Sequence, residues 1–315
     1  MNFRYIVQRL VFAVFVIVGV TFLAFAIVRG VGGDPARVKL GVTATEENVA
    51  AQRERMGLNR PFLVQYGDWL LGVVQGDFGQ SLITDQRIGP QLEQRLPATL
   101  QLGAAAILIG MLIAFPLGIL AALRSGSKVD MAVSLFSQLG MSIPDFWMGI
   151  LLVLLFSLQF GVLPPSGYTP IDDSFREWLR HLILPALTAG LISGAIQTRF
   201  IRSAMLEVLR ANYIQTARAK GLRERTVVVR HAVRAALVNI VTILGLQMTA
   251  LLSSVVVVEI TFAFPGIGWL ALNAVLDRDY PLLLATVFVI GVIVTLVNLV
   301  IDLLYFFLDP RIEFA

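Results

Sequence analysis

The sequence predicts an all-α membrane protein with six transmembrane helices, and three observations carry that prediction. Hydrophobic residues make up 57% of the 315-residue chain against 15% charged, with a mean hydropathy of +0.79, a balance too apolar for a soluble domain of ordinary composition. Apolar runs long enough to cross the hydrocarbon core, about 20 residues each, occur at Val11–Val28, Ala98–Leu123, Met131–Phe160, Leu182–Phe200, Val238–Phe262 and Leu282–Leu308. Lysine and arginine gather in alternate loops, the bias that sets topology in a polytopic chain.

The first segment, residues 1–28, carries Arg4 and Arg9 ahead of the first run, and Ala24-Phe25-Ala26 resembles a signal-peptidase site. The run is longer than the ~7–15 apolar residues of a signal peptide, so an uncleaved first span is expected. Residues 29–97 form the sizeable extramembrane region, with evenly mixed charge and the turn signals GGDP, GLNRP and GDFG. Within it, TEENVAAQRERMG predicts a short helix capped by Thr45 and stopped at Gly57. FLVQYGDWLLGVV places Phe62, Tyr66, Trp69 and Val73 at helical spacing, the pattern of a helix resting on the outer interface.

Residues 98–308 hold the remaining spans, and residues 309–315 a tail. Pro116, Gly140, Pro144, Pro185, Gly190, Gly194 and Gly245 interrupt these spans. Such breakers survive in a membrane where neighbouring helices or enclosed water satisfy the freed backbone groups, so packed and bent helices around a pathway are expected. No internal repeat is visible, and a pseudo-twofold pore therefore needs a second chain.

The loop after the fourth span holds Arg199, Arg202, Arg210, Arg218, Lys220, Arg223, Arg225, Arg230 and Arg234 against Glu207 and Glu224. Together with Arg124 and Lys128 it places these loops and both termini in the cytoplasm. The opposite loops are nearly balanced, with Asp172, Asp173 and Glu177 against Arg176 and Arg180, and Asp277 and Asp279 around Arg278.

Within the basic loop, residues 201–237, Leu206, Leu209, Tyr213 and Ala217 recur at intervals of three and four, predicting one helix over Ala204–Gly221 with a single apolar stripe. Gly221 supplies a residue free to adopt the left-handed turn that stops a helix, and a second helix follows from Glu224 into Leu237. Ala211, Ala217, Ala219 and Gly221 leave the backbone open to another surface.

The run Tyr213-Ile214-Gln215-Thr216-Ala217-Arg218-Ala219-Lys220-Gly221-Leu222, followed by Arg230-His231-Ala232-Val233-Arg234, resembles the cytoplasmic signature of permease subunits of ATP-binding-cassette importers in the dipeptide, oligopeptide and nickel branch. The resemblance runs nearly end to end: Gly32–Ala36, Gly57–Leu70, Gly76–Ser81, Val258–Leu270, Asp277–Pro281 and Asn298–Ile312 are similar to further motifs of that family, in order. One departure is Val238-Asn239, where the family usually has leucine-proline.

The resemblance implies the type I importer permease fold and a coupling helix that docks on a cytoplasmic ATPase, here through Tyr213, Thr216, Ala217, Arg218, Ala219, Lys220, Gly221 and Leu222. It implies a homologous second permease, two ATP-binding subunits, an external substrate-binding protein and a lipid surrounding in a bacterial or archaeal plasma (inner) membrane, with no nucleic-acid partner. The substrate class it implies is di- and oligopeptides, with nickel chelates or oligosaccharides as alternatives.

No GxxxxGK[ST] cradle is present, so ATP and magnesium are expected on the partner ATPases and no cofactor in this chain. The chain has no cysteine, which excludes thiolate chemistry, and two histidines, His181 and His231, too few for a histidine metal cage. No catalytic or metal-binding residue is expected.

Charged residues at membrane depth serve a pathway or a pair. Asp145 follows Pro144 at an expected bend, where a pathway position and a helix cap are both open; Glu259 lies at the end of the fifth span, where the resemblance implies a structural role at the outer mouth; and Asp302 suits packing between helices. Gln138, Ser142, Asp145, Gln247 and Glu259 are the candidate pathway or gate residues; Gln101 and Gln197 are further amides that can bond a neighbouring helix. A stand-alone ion-coupled carrier would carry internal repeats with matching broken helices, and an intramembrane protease would carry paired catalytic groups; neither pattern stands out.

Overall fold

The computed structural model describes the backbone of residues 3–31 and 33–308, with side chains described except at 3–6, 31, 238, 239, 242–244, 246 and 302–308. Gly32, the side chains of Val238, Asn239 and Asp302, and the tail 309–315 thus lie outside the described residues. Among those described, the chain is helical, with an isolated antiparallel bridge between Gln80 and Arg87 in place of any sheet.

Among the described residues, four helices are long and apolar enough to cross a membrane: Val7–Gly30, Ile88–Leu123, Phe175–Leu209 and Tyr280–Ile301. The third apolar run is not one straight helix. It forms α6 (Lys128–Ser142) and α7 (Asp145–Leu152), continued by π-helix over Val153–Gln159, and the two arms meet at 107°. Proline at 144 disfavours helical backbone at the residue before it, and Ile143 is extended, at φ −92° and ψ 123°.

The chain divides into two compact units, one of residues 1–99 and 265–296, the other of 100–264 and 297–315. The first unit holds α1 (Phe3–Val31), α2 (Pro35–Leu40), α3 (Glu46–Arg55), α4 (Phe62–Val74), the start of α5 (Ile88–Leu123), α12 (Ile267–Leu276) and most of α13 (Tyr280–Leu308). Thr45 caps α3 by accepting from Asn48 N–H at 3.3 Å, and Gly57 takes φ +65° behind it, as the sequence predicts.

The aromatic stripe of α4 packs against α1. Phe62 and Tyr66 meet the edges of Phe25 and Phe22 on α1, at 5.3 Å for Phe25–Phe62 and 5.2 Å for Phe22–Tyr66. Such pairs contribute about 0.5–1.5 kcal/mol each beyond their burial. Tyr66 also donates to the Val18 carbonyl at 2.9 Å. It is the opposite face, Leu63, Leu71 and Val74, that is exposed.

Buried Asp279 ties the Ser81 turn to the foot of α13, accepting from Ser81 Oγ and from Leu82 N–H at 3.1 Å. Thr99 Oγ1 accepts from Ile267 N–H at 2.8 Å at the start of α12.

The second unit is built on α8 (Phe175–Leu209), which packs against α6, α7 and α11 (Arg234–Thr261). Glycines set its closest approach to α5. A Cβ on Gly194 would sit 3.1 Å from Gly110 O, and one on Gly190 would sit 2.7 Å from Ile109 Cγ2. A Cβ on Gly140 of α6 would lie 2.3 Å from Ala195 Cβ. Without a hydrophobic drive in lipid, helices associate through this kind of small-residue contact.

Candidate functional site

Two surfaces of the second unit gather the residues singled out in the sequence. The first is the basic turn. The predicted single helix over Ala204–Gly221 is broken: α8 ends at Leu209, Ala211 is extended at ψ 144°, and α9 runs over Asn212–Ala219. The break shifts the register, so that Ile214 is the wholly buried residue and Tyr213 is half exposed. Ile214 packs with Met205, Val208, Val227, Ala232 and Ala236.

Gly221 closes α9 with φ +76°, and the amides of Lys220 and Gly221 bond the carbonyls of Thr216 and Arg218 at 3.0 and 2.9 Å. No atom lies within 4 Å of a Cβ built on Gly221, so its requirement is conformational. Arg218 spans the turn with two bonds to Glu224, at 2.6 and 3.2 Å. That pair raises the Arg218 value above the usual guanidinium range and lowers the Glu224 carboxyl below its ordinary value, the hydrogen bond being the main cause of each shift.

Tyr213, Thr216, Arg218, Ala219, Lys220, Gly221 and Leu222 are exposed around this turn, and Ala217 is partly buried beneath them. Beyond Arg223 the chain re-enters helix as α10 (Glu224–Thr226), passes through π-helix over Val227–Val233, and continues unbroken into α11. The turn is thus held between the ends of α8 and α11, with apolar Tyr213 and Leu222 displayed among cations.

The second surface is the α6–α7 bend. Asp145 opens α7, and Ser254 of α11 donates to its Oδ1 at 2.6 Å, so the carboxylate joins two helices. Gln138 and Ser142 are exposed on α6, Ser142 donating back to the Gln138 carbonyl at 2.9 Å. Thr249 and Ser253 are exposed on α11. Gln247 is half-buried, whereas Glu259 is wholly buried and its carbonyl accepts from Phe264 N–H at 2.8 Å in the turn after α11.

Gln101 bonds a neighbouring helix, its Oε1 accepting from Trp178 of α8 at 2.8 Å, whereas Gln197 donates to Ser193 of its own helix at 2.7 Å and its Oε1 is buried with no partner among the described residues. His181 donates from Nδ1 to the Glu177 carbonyl at 2.8 Å.

Sequence reasoning passed over Asp130. Arg202 of α8 grips its carboxylate from both sides, Nε to Oδ1 at 2.5 Å and Nη2 to Oδ2 at 2.7 Å, and Gly126 N–H donates to Oδ2 at 2.9 Å. The bidentate pair fastens the turn before α6 to the stretch of α8 that leads into the basic turn. The Ser-x-x-Asp spacing of Ser127 and Asp130, a capping pattern at a helix start, was the available signal.

Residues 114–314 match the family described as binding-protein-dependent transport system inner membrane component, and residues 2–103 match its N-terminal counterpart. Among curated relatives, the oligopeptide transport system permease protein AppB of Bacillus subtilis is 37% identical over 98% of this chain and 99% of its own. The di/tripeptide transport system permease protein DppB of Pseudomonas aeruginosa is 39% identical over 98% of each chain. A chain of the inward-facing MetNI methionine ABC transporter shares the fold, with a TM-score of 0.58 at 17% identity over 69% of this chain and 96% of that one. With the family matched along both halves and relatives matched end to end, this chain belongs to the binding-protein-dependent transport system inner membrane component family.

Proposed function

We propose that this chain is one permease subunit of an ATP-binding-cassette importer of di- and oligopeptides. The observation that carries the reading is the end-to-end match to relatives named as oligopeptide and di/tripeptide permeases. A homologous but distinct second permease completes the pathway, two cytoplasmic ATPases supply ATP hydrolysis with their magnesium, and an external binding protein delivers substrate.

Counting α1, α5, the bent α6–α7 pair, α8, α11 and α13 as crossings gives six spans, with residues 29–97 outside. The cationic turn then lies in the cytoplasm with both termini. Tyr213, Thr216, Ala217, Arg218, Ala219, Lys220, Gly221 and Leu222 form the face that an ATPase cleft takes up, and closure of the ATPases moves α8 and α11 together, since both are anchored to that turn. Gln138, Ser142 and Asp145 line the route with Thr249 and Ser253, and Gln247 adjoins it. Glu259 acts on the outer gate through the turn it holds. Exposed polar groups at membrane depth need a water-filled route or a partner helix, which supports this placement.

Reconstitution with the two ATPases, the second permease and the binding protein tests the reading by uptake of a labelled dipeptide and a labelled hexapeptide, with a nickel chelate and an oligosaccharide as parallel substrates. Peptide uptake that depends on ATP is expected. Uptake confined to the chelate or the sugar overturns the substrate, and uptake by this chain alone overturns the importer.

A further inference from the structure

The first unit contains a cavity of about 310 Å³ that the transport reading does not use. Its wall includes Phe25, Val28 and Arg29 of α1, Trp69 of α4, and Tyr280 and Leu284 of α13. This volume is at the lower end of the ~300–1,000 Å³ typical of small-ligand sites.

Its place along the helices is informative. Val28 and Arg29 end the apolar span Val7–Gly30, while Tyr280 and Leu284 open the span Tyr280–Ile301. The cavity therefore lies where two spans leave the hydrocarbon, the level at which tryptophan, tyrosine and arginine meet lipid headgroups.

The wall also carries Arg60, paired with Asp68 at 3.0 Å, and Gln65, bonded to the Leu58 and Arg60 carbonyls, but three of its polar side chains make no hydrogen bond among the described residues. Arg29 is half-buried and makes no hydrogen bond or ion pair among the described residues. Asp34, the carboxylate that acts on it electrostatically, is already engaged by Arg53 at 3.4 Å and by Ala36 N–H at 3.0 Å. Trp69 Nε1 and Tyr280 Oη are buried with no hydrogen-bond partner among the described residues, and Tyr280 is only 7% exposed. Native folds satisfy nearly all such groups. A half-buried cation with no direct ion pair, two unsatisfied hydrogen-bonding groups and an apolar hollow, all at headgroup level, form a consistent set.

We propose that this cavity seats part of one membrane phospholipid, a segment of acyl chain against Phe25, Val28 and Leu284 and the phosphate on Arg29, with the rest of the lipid outside it. Free phosphate lacks the apolar part and a neutral monoacylglycerol lacks the anion, so neither alone satisfies both halves of the site. The proposal needs the chain to lie in a membrane and does not depend on what it transports.

The test uses the full-length protein, delipidated in a phosphate-free detergent and titrated with dioleoyl phosphatidylglycerol, monoolein or inorganic phosphate under native mass spectrometry. Wild type and Arg29→Lys are expected to retain one phospholipid per chain. Arg29→Gln should weaken retention by about tenfold, as loss of one charge-assisted contact does, and Leu284→Phe, which fills the hollow, should weaken it similarly. Helix content by circular dichroism, held at the wild-type value, identifies folded variants. If both folded variants retain the phospholipid as wild type does, or if monoolein or phosphate alone binds as tightly, the site is not a phospholipid site. Should Leu284→Phe fail to fold, Arg29→Gln against Arg29→Lys still decides.

Discussion

Gly221 and Arg223 share one exposed turn and are expected to respond in opposite ways to substitution. Gly221 has free space around it but a left-handed backbone at φ +76°, so Gly221→Leu strains the turn and fills space that an ATPase surface needs. That variant should reach the membrane yet lose both ATPase pull-down and uptake. Arg223→Ala should keep most uptake, because one solvent-screened pair is worth about 0–1 kcal/mol; normal docking in Gly221→Leu would remove the turn from the coupling contact. The neighbouring Arg218–Glu224 pair has a pH signature. The folded-state value of Glu224 is lowered, so the stabilisation is present above the ordinary glutamate value of about 4.3 and is lost as pH falls through the lowered one. Both side chains are more than a third exposed, which limits the effect to about 1 kcal/mol at most. Amide protection at Gly221 and Leu222, corrected for intrinsic exchange, should fall in that acidic window in wild type and show no step in Glu224→Gln.

At the scale of helices, the packing of α6 on α8 rests on one missing methyl group. A Cβ on Gly140 would meet Ala195 Cβ at 2.3 Å, so Gly140→Ala should destabilise the fold by about 1–3 kcal/mol, the usual range for overpacking. Pairing it with Ala195→Gly should recover much of the loss in thermal unfolding, while Gly19→Ala on α1, with nothing within 4 Å, should be close to neutral. Apolar length made the helices legible, as did the Thr45 cap and the bend at Pro144, whereas Pro116, Pro185, Gly190 and Gly194, read as interruptions, lie inside the continuous helices α5 and α8. What escaped was direction. The stripe of α4 has the same spacing whether it faces lipid or the rings of Phe22 and Phe25, since periodicity identifies a face without naming its neighbour. The break at Arg210–Ala211 carries no proline or glycine, and it turned Ile214 rather than Tyr213 inward. Asp130 and Arg202, 72 positions apart in sequence, each resembled an ordinary loop charge until the fold brought them together. The candidate coupling residues cluster in sequence and so could be named from it, whereas the polar surface at the bend combines α6, α7 and α11.

Across the whole molecule, the charge asymmetry makes one prediction about sidedness. A reporter fused after Lys220 should appear in the cytoplasm and one near Gln75 on the outer side, and the reverse pattern would overturn the topology. The long helix α8 carries a mechanical consequence. Its 35 residues extend about 52 Å at 1.5 Å per residue, well beyond the ~30 Å hydrocarbon thickness. The tight crossing at Gly190 and Gly194 brackets Ile192, the midpoint of Phe175–Leu209. A beam pivoted at its centre has equal arms. Displacement of the Leu209 end by a docked ATPase should therefore reappear at the Phe175 end with similar amplitude and opposite sense, without a relay of contacts in between. Spin labels placed near each end, each paired with a reference label on α5, should report opposed distance changes when nucleotide binds, and changes of the same sign would mean that α8 shifts as a whole instead of tilting about its glycines.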